Sequence, residues 1–252
     1  MLQEKKGVSK PFTFKQFKIE QDRCAMKVGT DGVLLGAWAD VAQAKKILDI
    51  GSGTGIIAIM LAQRTDQNTS ENSPNFVHAI EIDDAAFLQS QENMQISPFA
   101  DRLSAFHNSI QDFAKTTDTR YDLIVSNPPF FTGGTFSSNQ DKTNVRHTVK
   151  LPHGDLLHAT RHLLDKEGKF CVILPLIEGL RFVEIARTYG FYLTKMTEVL
   201  TLANKPVERL LLQFEVHPKP LFKDELIIQN SDTRNDYTEG YKNLTKNFYP
   251  TF

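Results

Sequence analysis

The stretch K-K-I-L-D-I-G-S-G-T-G-I-I-A-I-M-L-A-Q-R, Lys45 to Arg64, decides how this chain folds. Its first part, 45–51, is an apolar run that stops on glycine, as a buried strand does. Its last part, 56–64, is apolar almost all round and starts directly after Gly55, as a core helix does. Strand, glycine loop and helix in that order bring backbone amides and the positive helix end toward a ligand above the strand. The glycines fall at Gly51, Gly53 and Gly55, just after Asp49. That spacing departs from the G-x-G-x-x-G of dinucleotide sites and from the phosphate loop, in which a lysine follows. Neither a diphosphate nor a triphosphate is well served. Glycine turns also join strands to helices for geometric reasons alone, so the loop needs partners before it signifies a site.

Outward from this unit the pattern repeats. The runs 75–83, 103–109, 121–127 and 168–175 read as further strands, and helix-like segments such as D-A-A-F-L-Q-S-Q-E-N-M and G-D-L-L-H-A-T-R-H-L-L-D alternate with them. Such alternation builds a parallel sheet covered by helices on both faces. After a helix closed by Gly190, F-Y-L-T-K-M-T-E-V-L-T and V-E-R-L-L-L-Q-F-E-V-H follow with only L-A-N-K-P between them, which predicts an antiparallel hairpin at the sheet edge. The expected fold is therefore α/β and Rossmann-like, a mostly parallel seven-stranded sheet with an antiparallel C-terminal hairpin. The polar stretch Q-N-T-S-E-N-S-P reads as an exposed loop.

With 252 residues, 40% of them hydrophobic and 23% charged, the chain has the composition of one globular catalytic domain with short extensions. The expected divisions are an arm at 1–26, a catalytic domain at 27–217 and a C-terminal extension at 218–252. No apolar run is long enough to span a bilayer, and the first residues lack the apolar block of a secretory signal. A cytoplasmic location is expected. Cys24 and Cys171 lack the paired spacing of a zinc or redox site, and His107, His147 and His153 lack metal-ligand spacing, so no metal is expected. The formal net charge of −1 confines any nucleic-acid contact to local patches. One such patch lies in residues 1–30, where seven basic residues, among them Lys10, Lys15 and Lys18, face three acidic ones and leave +4. Phe12, Phe14 and Phe17 lie among them. The arm reads either as an RNA surface or as a solvated segment whose phenylalanines pack on the core.

Two acids and one corner complete the site. Glu81 ends the second strand, where a carboxylate can accept from both hydroxyls of a ribose. Hydrogen bonds to a charged acceptor contribute about 1.5–3 kcal/mol each. Asp112, after the third strand, reads as an acceptor for an adenine amino group or as a helix N-cap. With the glycine loop these outline a nucleoside at the switch point of the sheet. The fourth strand stops at Asn127-Pro128-Pro129-Phe130, because two adjacent prolines cannot continue a ladder. The prolines restrict the backbone, so the Asn127 side chain and the Pro128 carbonyl form a rigid pair of acceptors. Two acceptors gripping an NH₂ group favour a pyramidal nitrogen and stabilise the charge that develops as it is methylated. Phe130 would stack on the ring that bears it, worth about 1–3 kcal/mol. The plainer reading is a strand-ending turn with a core phenylalanine.

Taken together, D-I-G-S-G-T-G, Glu81, Asp112 and N-P-P-F resemble the class I methyltransferases that modify amino nitrogens, over roughly residues 27–217. That resemblance implies S-adenosylmethionine as the cofactor, held by Asp49, Gly51, Gly53, Gly55, Glu81, Asp112 and Asn127, with N-P-P-F holding the acceptor nitrogen. More narrowly, M-K-V-G-T-D-G-V-L-L-G-A-W (26–38), N-P-P-F-F and K-P-V-E-R-L-L-L-Q-F (205–214) resemble the bacterial tRNA adenine-N6 methyltransferases that act on a valine tRNA next to its anticodon. This narrower resemblance implies that Lys27, Thr30 and Asp31 lie over the methionine end of the cofactor. A loop adenine is already unpaired, so its capture needs little unstacking. Residues 132–150, with Lys142, Arg146 and Lys150, read as a loop that clamps RNA phosphates or as an ordinary surface loop. A monomer is expected. Three readings compete: guanine-N2 methylation of ribosomal RNA, glutamine-N5 methylation of a release factor, and a non-catalytic nucleoside-binding module. The last is opposed by the intact N-P-P-F. Release-factor enzymes usually carry tyrosine after the prolines, where this chain has Phe130.

Overall fold

The computed structural model describes residues 10–65, 75–129 and 151–251. Phe130, Lys142, Arg146, Lys150 and the polar loop at 66–74 lie outside the described residues. Strand β3 (Lys46–Ile50) enters the glycine loop and helix α2 (Ile56–Thr65) leaves it, as the sequence predicts. Strands β4 (Phe76–Glu81), β5 (Leu103–His107), β6 (Tyr121–Ser126), β7 (Leu164–Pro175), β8 (Tyr192–Leu200) and β9 (Arg209–Glu215) complete the expected seven. Helices α3 (Asp84–Gln95), α4 (Ile110–Thr116), α5 (His153–Leu163) and α6 (Leu176–Thr188) connect them.

The sheet has an eighth member. Strand β10 (Phe222–Ile227) pairs parallel to β8, giving the order β10-β8-β9-β7-β6-β3-β4-β5. The β8–β9 hairpin is antiparallel, but β9 inserts between β7 and β8 and β10 covers the outer edge. Chain order runs outward from β3 in one direction through β4 and β5, and in the other through β6 and β7. The switch point thus falls between β3 and β6, where Ile50 pairs with Ser126 and a crevice opens beyond the strand ends.

Alternate residues of the central strands feed two cores, as a sheet covered on both faces requires. Ile47, Val77, Leu123, Val125, Cys171 and Leu211 pack on the side of α2, while Leu48, Ile80, Ile124, Phe170, Val172 and Leu212 pack on the side of α5 and α6. On the first side lies helix α1 (Thr30–Trp38), whose sequence T-D-G-V-L-L-G-A-W is buried from Gly32 to Trp38. A Cβ at Gly36 would stand 2.9 Å from the Met60 sulfur, so glycine lets α1 and α2 approach closely. Helix α7 (Glu239–Thr245) packs on α1, and Tyr241 and Phe248 join the same core.

The arm folds back on the core. Strands β1 (Phe12–Thr13) and β2 (Lys18–Ile19) form a small hairpin, with Phe14, Phe17 and Ile19 buried and Lys10, Lys15 and Lys18 exposed. Phe14 and Phe17 are core and Phe12 packs half-buried against it, while the lysines face outward with Pro11, Thr13 and Gln16. The Lys15 backbone N–H donates to the Phe248 carbonyl at 2.7 Å, so the arm and the end of the chain meet. Among the described residues no helix is long and apolar enough to cross a membrane.

Candidate active site

The glycine loop is shaped by positive φ angles at Gly51, Gly53 and Gly55. Its amides are largely committed within the protein. Gly51 and Ser52 donate to the Ile80 carbonyl, and Gly53 donates to Glu81 Oε2 at 2.8 Å. A Cβ at Gly51 or Gly53 would meet nothing within 4 Å. What the loop offers above β3 is therefore room for a close-lying ligand more than a row of donors, a shift from the sequence expectation. Gly55 differs, since a Cβ there would lie 3.2 Å from Ser90 and Met94 of α3.

Beside the loop opens a cavity of about 620 Å³, a size that suits a nucleoside-sized ligand and part of a second one. Lys27, Thr30, Asp31, Gly51, Ser52, Gly53, Asn127, Pro128 and Pro129 line it, so the structure brings most of the predicted residues to one place. The Ser126 hydroxyl donates to the Ile50 carbonyl at 2.9 Å, which ties the end of β6 to the start of the glycine loop. Asn127 is the next residue, and among the described residues its amide has no hydrogen-bond partner. Pro128 is buried and Pro129 exposed, as expected for a corner at the rim.

Asp49 lies fully buried at the end of β3. Its Oδ2 accepts from the Ala58 N–H at 3.2 Å, while Oδ1 has no partner; the Ser52 hydroxyl, also buried, has none either. Burial pushes the Asp49 carboxyl up to about 7, against the opposing Ala58 hydrogen bond. Unpaired buried polar atoms are rare in folded proteins; of these two residues Ser52 lines the cavity, while Asp49 lies outside its lining.

Glu81 and Asp112 lie outside the cavity lining. Glu81 sits at the rim of the loop, accepting from Gly53, Ile82 and Asp83 amides. Asp112 is exposed. Ser109 caps α4 by accepting from the Asp112 N–H and donates to the Asp112 carboxylate, which Lys115 also contacts at 2.9 Å. Lys115 first and Ser109 second hold that carboxyl below its ordinary range. The N-cap is thus Ser109, and the assignment of Asp112 to an adenine draws no support from this geometry.

Sequence reasoning missed the far wall, made by Val199, Thr201, Glu208, Arg209 and Ile228. Arg209 Nε donates to Asp31 Oδ2 at 3.0 Å, linking β9 to α1 across the chain. The polar pair Glu208-Arg209 at the head of an apolar strand is the one signal that pointed there. Cys24 and Cys171 are free and buried, and burial pushes both thiols up to about 12. Among the described residues no group of three or more acids, histidines and cysteines could hold a metal.

The described geometry joins a glycine loop at the switch point to an Asn-Pro-Pro corner, and residues 27–175 match the family described as the methyltransferase small domain. The chain belongs to that family. Relatives of this methyltransferase include the tRNA1(Val) (adenine(37)-N6)-methyltransferase of Proteus mirabilis, 43% identical over 242 residues that cover 94% of this chain and 93% of the relative. The protein of the same name from Erwinia tasmaniensis is 42% identical over 246 residues, covering 97% of each chain. Among solved structures, a predicted O-methyltransferase from Agrobacterium tumefaciens shares the fold of the methyltransferase with a TM-score of 0.66, covering 86% of this chain and 96% of the other at 15% identity.

Proposed function

We propose that the methyltransferase moves a methyl group from S-adenosylmethionine to the exocyclic N6 of the adenine next to the anticodon of a valine tRNA. One observation carries the reading. The Asn127-Pro128-Pro129 corner and the glycine loop share a single cavity, in a chain over 40% identical to tRNA1(Val) adenine-N6 methyltransferases along nearly its whole length.

S-adenosylmethionine supplies an electrophilic methyl on a sulfonium. Gly51 and Gly53 give it room, Lys27, Thr30 and Asp31 flank its methionine end, and Glu81 at the rim accepts from its ribose hydroxyls. The unpartnered hydroxyl of Ser52 in the lining fits its polar groups, and Asp49 acts from behind the loop, outside the lining. An aromatic amine is a poor nucleophile because its lone pair is delocalised into the ring. The Asn127 amide oxygen and the Pro128 carbonyl accept its two hydrogens, favour a pyramidal nitrogen and offset the charge it gains. Holding the nitrogen in line with the methyl supplies much of the rest, since oriented reactants reach effective molarities on the order of 10⁵–10⁸ M. Phe130 stacks on the adenine, and Lys10, Lys15, Lys18, Lys142, Arg146 and Lys150 contact phosphates of the tRNA.

The test offers unmodified tRNAs, ribosomal RNA and release factors to the purified protein with labelled cofactor, followed by digestion and mapping of the label. Label at N6 of the adenine beside the valine anticodon is the expected result. Label on guanine N2 or on a glutamine would replace the reading.

A further inference from the structure

Helix α3 carries a buried polar stripe that the proposed chemistry does not use. Gln89, Ser90 and Asn93 are each 1% exposed or less, on a face that an ordinary amphipathic helix fills with apolar side chains. Burying an amide is costly unless its hydrogen bonds are made, and here they are made to two separate pieces of backbone. Asn93 Nδ2 donates to the Glu20 carbonyl and to the Thr54 carbonyl, both at 2.9 Å, and Asn93 Oδ1 accepts from the Glu20 N–H at 2.8 Å. Gln89 Oε1 accepts from the Arg23 N–H at 3.1 Å. Thr54 belongs to the glycine loop. Glu20 and Arg23 belong to the strap, residues 20–29, that joins the arm to α1. The strap is closed on itself by the Val28 N–H donating to Gln21 Oε1 at 2.9 Å, and it delivers Met26, Lys27, Gly29, Thr30 and Asp31 to the cavity.

We propose that Asn93 is a positioning residue for the methyl-donor site: one side-chain amide registers the strap against the glycine loop and thereby sets the spacing between the two walls that enclose the donor. The inference rests on the reading of this cavity as the S-adenosylmethionine site. A single NH₂ group serves both carbonyls, so neither segment shifts without breaking the bond to the other. An apolar side chain of the same branching would occupy the space and leave the register unset. Gly55, pressed against Ser90 and Met94, holds α3 close enough for the amide to reach.

The test uses the full chain with Asn93→Leu, which keeps the number and branching of heavy atoms, and Asn93→Asp, which keeps the acceptor and sets a carboxylate against two carbonyls. Phe191→Leu, a substitution in the opposite core, serves as a comparator that loosens packing elsewhere. Calorimetry gives the Kd for S-adenosylhomocysteine, steady-state kinetics give KM for each substrate and kcat, and hydrogen exchange follows the amides of 20–29. A strap no longer registered against the glycine loop should weaken donor binding by roughly tenfold, about 1.4 kcal/mol. Both Asn93 variants should raise the donor Kd and KM to that extent and speed exchange across the strap. At saturating donor, kcat and the KM for tRNA should stay within about threefold of wild type. Phe191→Leu should lower the melting temperature without moving the donor KM. Donor binding within twofold of wild type in either folded Asn93 variant, or an equal loss in Phe191→Leu, overturns the proposal. A wild-type protein that binds the donor and methylates no tRNA removes the proposed function, while the binding and exchange measurements still decide the role of Asn93.

Discussion

At the scale of single residues, Asn127 and Asp49 face different demands. Asn127 stands at the cavity with its amide unpartnered among the described residues, so its replacement costs the fold little and the reaction much. Removing one preorganised group that answers developing charge typically lowers turnover by about 10²–10³-fold. Asn127→Ala is expected to lose single-turnover methylation to that extent while the donor Kd, measured by calorimetry, stays within a few-fold. Asp49 is a destabilised group whose carboxyl rises from 3.8 to about 7 on burial. Between these two values the folded state binds more protons than the unfolded one, so stability falls as pH rises through that window and levels off above it. A rise of that size corresponds to something on the order of 4 kcal/mol. Asn at this position escapes that cost. Without cofactor, Asp49→Asn should melt above wild type at pH 8, with the advantage shrinking toward pH 4, in thermal scans. The same variant should bind the cationic donor more weakly. A melting difference that is constant across pH would mean that Asp49 is not the group that bears the ionisation cost.

At the scale of elements, the loop between β3 and α2 makes two kinds of glycine experimentally separable. Gly51 points a missing side chain into open cavity, whereas Gly55 points it into α3. Both have positive φ, which costs an L residue roughly 1–2 kcal/mol. Gly55→Ala adds tight contacts at 3.2 Å with the Ser90 Cβ and the Met94 methyl to that strain. It should therefore lower the melting temperature more than Gly51→Ala, while Gly51→Ala should raise the donor Kd more for each degree of melting lost; calorimetry and thermal scans on the pair decide it. The seven strands were legible because buried parallel strands need continuous apolar runs and their turns need glycine or proline. Strand β10 was not: Lys223, Asp224 and Glu225 are exposed, and only Leu226 in it is buried. Helix α1 lacked a periodic signal because it is buried on nearly every side. The near wall of the cavity was legible, since glycines and prolines announce backbone geometry. The far wall from Val199, Thr201, Glu208, Arg209 and Ile228 is assembled by topology, with the polar pair Glu208-Arg209 its only sequence signal, and nothing in the polar run of α3 marks Gln89 and Asn93 as buried.

At the scale of the molecule, the arm combines a buried aromatic side and an exposed basic one that its composition left entangled. Phe14, Phe17 and Ile19 belong to the core, so a deletion through residue 18 would damage the fold as well as any RNA surface. The lysines can be tested alone. Converting Lys10, Lys15 and Lys18 together to glutamine should preserve donor binding, weaken tRNA binding and reduce the slope of log affinity against log salt by about 2, given roughly 0.7 for each single-strand phosphate that a lysine no longer neutralises. Filter binding across a salt series measures it, and an unchanged slope would remove these lysines from the RNA surface.

The backbone bond from Lys15 to Phe248 has a consequence for how the protein folds. It joins segments that lie far apart along the chain, and the cavity likewise receives Ile228 from beyond the β8–β9 hairpin. Closing contacts of such long sequence separation costs chain entropy before it is rewarded, so the cavity wall is expected to be among the last parts to form on refolding.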